Sequence, residues 1–286
     1  MSEPAIAILP HGSKLDRALT ERPLGQLHWP LGCPDRLKGG VVGDLGPEDH
    51  LIAFAKTAMH FQPRFPFRAR LSLMVMEPRI MSLNHHRLLR LTHRRFFRVF
   101  TYDPDLLDRL PNGVFLPFGT TWVPEWKDLI INKTADLSLI ASAKRDHPGH
   151  KLRHQVVDYL QQHRPSAQIM GKGYQPFEAK SEGLAPFRYS VVIENVRETN
   201  CFTEKLIDAI LCETVPIYWG CPNIEDFFDT DGMMICSDRA DLEAAISAAS
   251  AEDYERRLPS LRAQKPVAAH FGDLFGRAAE ALRDSL

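Results

Sequence analysis

Long apolar runs, an excess of charge of either sign and a cysteine framework are all missing from this chain of 286 residues. No stretch approaches the roughly 18 apolar residues that a membrane-spanning helix requires. The opening residues, MSEPAIAILPHGSK, place Glu3 and Pro10 where a secretory signal would be basic and then apolar. Lys and Arg number 35 against 36 Asp and Glu, which argues against a dedicated nucleic-acid binder, whose footprint is a basic excess over the domain. The 5 cysteines, Cys33, Cys201, Cys212, Cys221 and Cys236, are odd in number and include no CxxC, so they read as free thiols in a reducing compartment. A cytoplasmic protein is the expectation. The 12 histidines show no zinc-ligand spacing with these cysteines. Internal repeats and low-complexity tracts are also lacking.

What is present is an ordinary globular composition, 44% hydrophobic and 25% charged, at a length that suits about two domains. Ala5 to Leu9 is a short apolar run stopped by Pro10 and Gly12. A charged stretch with Leu15, Ala18 and Leu19 at helical spacing follows, so the chain opens as strand, loop and helix. Residues 71–76 read as a buried strand, 83–95 as a helix and 96–101 as a strand. The segment from Pro117 to Pro124 has no period and is rich in turn formers, which sets a boundary between residues 1–122 and 123–286. Alternation then restarts: strands at 136–141, 167–170, 187–193 and 215–219, and helices at 151–163, 203–213, 241–249 and, at the end, 267–282. Strands alternating with helices imply parallel sheets built by crossovers, hence an α/β fold.

Residues 187–228 carry the most information. The strand through Ile193 delivers Glu194 and Asn195 at its C-terminal end, the edge where open α/β sheets bind ligands. A helix then begins at Thr203-Glu204-Lys205, with Leu206, Ile207, Ile210 and Leu211 as its core-facing stripe. An N-cap threonine followed by lysine gathers backbone N–H groups, the positive helix end and an ammonium around one point, which suits a phosphate. The same residues read equally well as an ordinary capped helix start.

This segment resembles the α1,3/4-fucosyltransferases, glycosyltransferase family ten, and the bacterial members in particular. The resemblance rests on Ile193-Glu194-Asn195, Thr203-Glu204-Lys205-Leu206 and Val215-Pro216-Ile217-Tyr218-Trp219-Gly220-Cys221-Pro222. It is strong over 187–235, weaker but collinear from about 71 to 186, and absent over 1–65. It implies two Rossmann-like domains facing a cleft (GT-B type), residues 1–122 being the acceptor side and 123–286 binding the nucleotide sugar. The reaction implied is inverting transfer of L-fucose from GDP-fucose to a hydroxyl of a glycan acceptor, with no cofactor or metal required. By the same resemblance Asn195 lies by the diphosphate, Glu204 holds the ribose, Lys205 contacts phosphate and Arg153 neutralises the diphosphate. Two positions depart from the family pattern: Cys201 stands for tyrosine and Val196 for serine.

The chemistry makes its own demands. A departing diphosphate needs cations or N–H donors aimed at it, and Lys205, Arg153 and the helix start at Thr203 supply them. The attacking hydroxyl needs a base. Glu77, at the end of the strand 71–76 and held extended by Pro78, is the candidate, with His85 and His86 as weaker competitors. A plain surface glutamate is the alternative. Asp229-Thr230-Asp231 reads as a loop, and Gly171-Lys172-Gly173, lacking the GxxxxGK[ST] spacing, as a turn. Residues 79–98 hold six arginines and no acid, with Arg87, Arg90, Arg94 and Arg98 near one helical face. That face suits an anionic acceptor or the inner face of a membrane, and equally a solvated helix paired with acids elsewhere. Two further readings stay open: another nucleotide sugar as donor, or a glycan- or nucleotide-binding relative without turnover.

Overall fold

The computed structural model describes residues 3–286, and the chain forms two compact units. The first unit holds the residues up to Phe118 together with Leu274–Leu286. Its elements are β1 (Ile6–Ile8), β2 (His50–Phe54), α1 (Thr57–Phe61), β3 (Arg70–Val75), α2 (Arg79–Thr92), β4 (Val99–Thr101), α3 (Pro104–Leu107) and β5 (Gly113–Phe115). All five strands are parallel and stand in the order β1-β2-β3-β4-β5, with Leu51 opposite both Ala7 and Leu71.

Alternation along these strands builds two cores. Ala5, Ala7, Leu9, Leu51, Leu71 and Leu73 pack on one face of the sheet, while Ile6, Ile8, Ile52, Met74 and Phe100 pack on the other. A parallel sheet must be covered on both sides. The second face is closed by α9 (Leu274–Arg283), whose Leu274, Ala278, Ala279 and Leu282 complete that core.

The second unit runs from Gly119 to Asp273. It contains β6 (Ala135–Ile140), α4 (Pro148–His163), β7 (Gln168–Met170), β8 (Phe187–Ile193), α5 (Glu204–Leu211), β9 (Val215–Trp219), β10 (Met234–Ile235), α6 (Arg239–Ala248), α7 (Ala251–Ala263) and α8 (Lys265–Gly272). Its strands are also all parallel, in the order β10-β9-β8-β6-β7. After β7 the chain therefore returns past β6 to build the sheet outward on its other side.

Several expectations are corrected here. The terminal helix expected over 267–282 is two helices broken at Asp273, whose ψ of 72° leaves the helical region. The second of them belongs to the first unit, not to a domain spanning 123–286. An apolar stripe shows that a helix is buried but not in which core. The helix expected near Leu15 is a 3₁₀ turn, Arg17–Glu21. The helix expected over 83–95 starts at Arg79 and ends at Thr92, followed by a 3₁₀ turn, His93–Arg95. Arg98 consequently does not share a helical face with Arg87 and Arg90. It lies just before β4, stacks on Phe97 and donates to Ser285.

Candidate functional site

The reversal of strand order in the second unit places a crevice where the chain leaves β6 in one direction and β8 in the other, the switch point at which doubly wound sheets bind ligands. α4 follows β6 and α5 follows β8, so both helix N-termini open at the carboxyl edge of this pair. A cavity of about 300 Å³ lies there. Among the described residues its walls carry five cations, Lys144, Arg153, Lys172, Lys180 and Lys205, against the carboxylate of Glu204. Trp122, Phe177 and Val192 provide apolar wall.

Close packing shapes the crevice. Pro148 and Gly149 open α4, proline at a position where its missing N–H costs nothing. A Cβ on Gly149 would come within 1.8 Å of the Glu194 carbonyl oxygen, so only glycine lets α4 approach the end of β8 this closely. The Gly149 N–H donates to the Asn195 carbonyl at 3.0 Å. One turn further, Arg153 is 6% exposed and donates to the Ile193 carbonyl at 2.6 Å and to Asn195 Oδ1 at 3.5 Å. Burial pulls its pKa down, with Glu194 and Glu204 working the other way.

Glu194 is 1% exposed and organises the start of α5. Its carboxylate accepts the Thr203 N–H at 2.8 Å and the Thr203 hydroxyl at 2.7 Å, and lies 3.4 Å from Lys205 Nζ. The Lys205 ammonium also donates to Thr203 Oγ1 at 3.0 Å and to Glu204 Oε1 at 3.1 Å. Burial works to lower the Lys205 pKa, but Glu194 and Glu204 overcome it and hold the ammonium above its ordinary value. Burial likewise works to raise Glu204, and Lys205 and Lys180 overcome it, so its carboxyl sits below the usual range. Both groups are ionised at neutral pH.

The structure thus brings Arg153, Asn195, Glu204 and Lys205 to the wall of one cavity. Glu194 and Thr203 stand behind that wall, turned toward each other: the donors of the α5 cap are given to Glu194. Glu77 lies in the other unit, exposed, two residues past the end of β3 and before the Pro78 cap of α2, and its carbonyl accepts from the Ser82 hydroxyl at 3.2 Å. His85 is tied to His60, ring nitrogen to ring nitrogen at 2.9 Å, and His86 faces Asp103 at 4.0 Å.

Several wall residues escaped the sequence reading, Lys144 among them. His150, in the first turn of α4, is buried with its Nδ1 unpartnered among the described residues; burial, with Arg153 and His147, holds its pKa down. Pro148 was the available signal, since it starts the helix early enough to include His150. Lys180 spans the Trp122 ring, at 5.1 Å, and Asp208, at 2.7 Å. Nothing local marks Lys180 or Trp122, which converge only through the fold. Lys172 sits between Gly171 and Gly173, whose φ of +109° and +106° make the expected turn, and that turn lines the cavity. Asp229 caps its own loop by accepting the Asp231 N–H. Among the described residues no three His, Cys, Asp or Glu side chains converge as metal ligands, and no helix is long and apolar enough to cross a membrane.

No protein-family model matches the chain. It is similar to the α-(1,3)-fucosyltransferase FucT of Helicobacter pylori, with 33% identity over 67 residues, 23% of this chain and 14% of that protein. Among solved structures it is similar to an α1,3-fucosyltransferase with GDP-fucose, at TM-score 0.50 and 18% identity over 75% of this chain and 70% of that one. It is also similar to Anabaena Alr3699/HepE in complex with UDP-glucose, at TM-score 0.55 and 12% identity over 83% and 79% of the two chains. The two Rossmann-like domains are therefore those of the GT-B glycosyltransferases, and the sequence resemblance within that fold is to the α1,3-fucosyltransferases.

Proposed function

We propose that the chain is an inverting glycosyltransferase that moves L-fucose from GDP-fucose to a hydroxyl of a glycan acceptor. The observation that carries this is the crevice between β6 and β8, where five cations and two helix N-termini surround a cavity beside the segment that resembles fucosyltransferases. Arg153 and Lys205 take the diphosphate, with Asn195 beside it, and Glu204 holds the ribose. Glu194 and Thr203 act behind them, fixing Lys205 and the start of α5 so that the cations are aimed before the donor arrives.

In the reaction, the bond from the anomeric carbon to the diphosphate oxygen breaks and its electron pair leaves with GDP. The acceptor oxygen attacks the opposite face, which inverts the anomeric centre, and its proton passes to the Glu77 carboxylate. Arg153 and Lys205 neutralise the charge that grows on the leaving group. This reading needs no resident cofactor or metal and places the enzyme in the cytoplasm.

Calorimetry with GDP, UDP, ADP and CMP tests the donor class. GDP binds more tightly than the others, and binding persists in chelator. Equal or reversed affinity for UDP would transfer the site to another nucleotide sugar. Loss of transfer in EDTA, restored only by a divalent ion, would overturn the assignment of the leaving-group charge to Arg153 and Lys205.

A further inference from the structure

Helix α2 turns the wrong side chains outward for a solvated helix. Its core face carries Ser82 and Leu89, both buried. Ile80, Leu83, Arg87 and Leu91, at spacings of three, four and four, fall within an arc of about 80° on the opposite side. Ile80 is 55% exposed and Leu91 87%, and Met81 beside them is half exposed. Phe61, at the end of α1 and packed next to α2, is 67% exposed. An ordinary surface helix has charged residues along this line, with apolar residues kept inward.

The charge carried by the helix itself has one sign. Residues 79–98 contain no acid. Arg79 is bound by Asp105, Arg95 donates to the Gln62 carbonyl and Arg98 to Ser285. Arg87, Arg90 and Arg94 are exposed and have no acidic partner among the described residues. They border an aliphatic stripe on the side of the helix away from the core.

We propose that this face of α2 docks on an anionic lipid surface. Ile80, Leu83 and Leu91 enter the boundary between headgroups and acyl chains, and Arg87, Arg90 and Arg94 pair with lipid phosphates. Charge complementarity selects the partner: three unpaired guanidinium groups beside bare aliphatic side chains match a plane of phosphates over hydrocarbon. The docking does not depend on the transfer reaction. Combined with that reading, which makes Glu77 the base, it names the acceptor class as lipid-anchored glycans, because Glu77 stands next to the Pro78 cap of α2.

The test is sedimentation of the full chain with vesicles of phosphatidylcholine alone and of phosphatidylcholine mixed with phosphatidylglycerol. The protein pellets with the anionic vesicles only, and less so as salt rises. Each arginine near the surface contributes about fivefold, so Arg87→Ala, Arg90→Ala and Arg94→Ala together lower partitioning about 100-fold. Leu91→Glu lowers it about tenfold or more. Melting temperature and GDP affinity stay unchanged in both variants, since these side chains are exposed and lie outside the nucleotide cavity. Absence of binding to anionic vesicles, equal binding to neutral ones, or undiminished binding by both variants would overturn the proposal. A concentration-dependent dimer abolished by Leu91→Glu, without vesicle binding, would assign the face to a second copy and also overturn it. None of these outcomes bears on GDP binding, so docking and donor use fail separately.

Discussion

The two units contain the same parts and put them to different use. Each has a parallel five-stranded sheet, but the first lays its strands in chain order while the second reverses direction at β6. A monotonic order keeps successive crossovers working in one direction. A reversal sends two neighbouring crossovers to opposite sides and leaves a crevice between their helix N-termini. A cluster of buried charges sits at this reversal. Arg153, Glu194 and Glu204 are all nearly inaccessible and lie at the reversal, with Lys205 held between the two carboxylates. In the first unit Glu77 is exposed at the strand edge. On the proposed reading, the second unit holds the charged donor in this buried network, and the first offers the exposed Glu77 to the acceptor.

The largest expected effect falls on the first unit alone. Glu77→Gln keeps the shape of the side chain but cannot accept a proton, so transfer slows by about 10²–10⁴-fold. GDP affinity is unchanged, and so is the melting temperature. Normal transfer by a normally stable variant would remove Glu77 as the base and with it the assignment of acceptor chemistry to this unit.

Arg153→Ala and Lys205→Ala address the second unit. Each lowers GDP affinity by about 10- to 150-fold, the worth of a charge-assisted hydrogen bond to phosphate. Lys205→Ala also lowers the melting temperature, because Glu194 and Glu204 then share a buried region without their ammonium. Wild-type affinity in both would place the diphosphate elsewhere.

A smaller effect separates the units by acid stability. Burial pushes His50 and His60, both in the first unit, down to about 4 from an unfolded value near 6.5. Between these values the unfolded chain binds more protons, so their contribution to stability is complete above about 6.5 and is lost as pH falls toward 4. In the second unit, burial moves the Asp208 carboxyl upward, with the opposite sign, while His150 is held down in the same sense as these two. Hydrogen exchange across this window therefore accelerates first in the peptides of β2 and β3 rather than β8 and β9. Simultaneous loss of protection would contradict this.

The same contrast explains what was legible in the sequence. β8, α5 and β9 were readable nearly to the residue because their side chains are buried on almost every side, giving apolar runs that no surface segment imitates. β2 was missed: it begins at His50, a buried polar residue, and has only five residues. The individual groups at the crevice were visible at Arg153, Asn195, Glu204 and Lys205. Their convergence with Lys180, Trp122 and His150 was not, since it depends on strand order, which periodicity does not encode. The placement of α9 failed for the same reason. Its stripe of Leu274, Ala278 and Leu282 fits either core, and the choice is made by the uncovered face of the first sheet.

Hydrogen–deuterium exchange with and without saturating GDP tests most directly whether the reversal in the second unit makes the donor site. Protection should concentrate in two peptides, the start of α4 from His147 to Arg153 and the segment from Asn195 to Lys205, with the peptides of β1, β2 and α2 unchanged. Protection confined to the first unit, or spread evenly over both, would contradict the account.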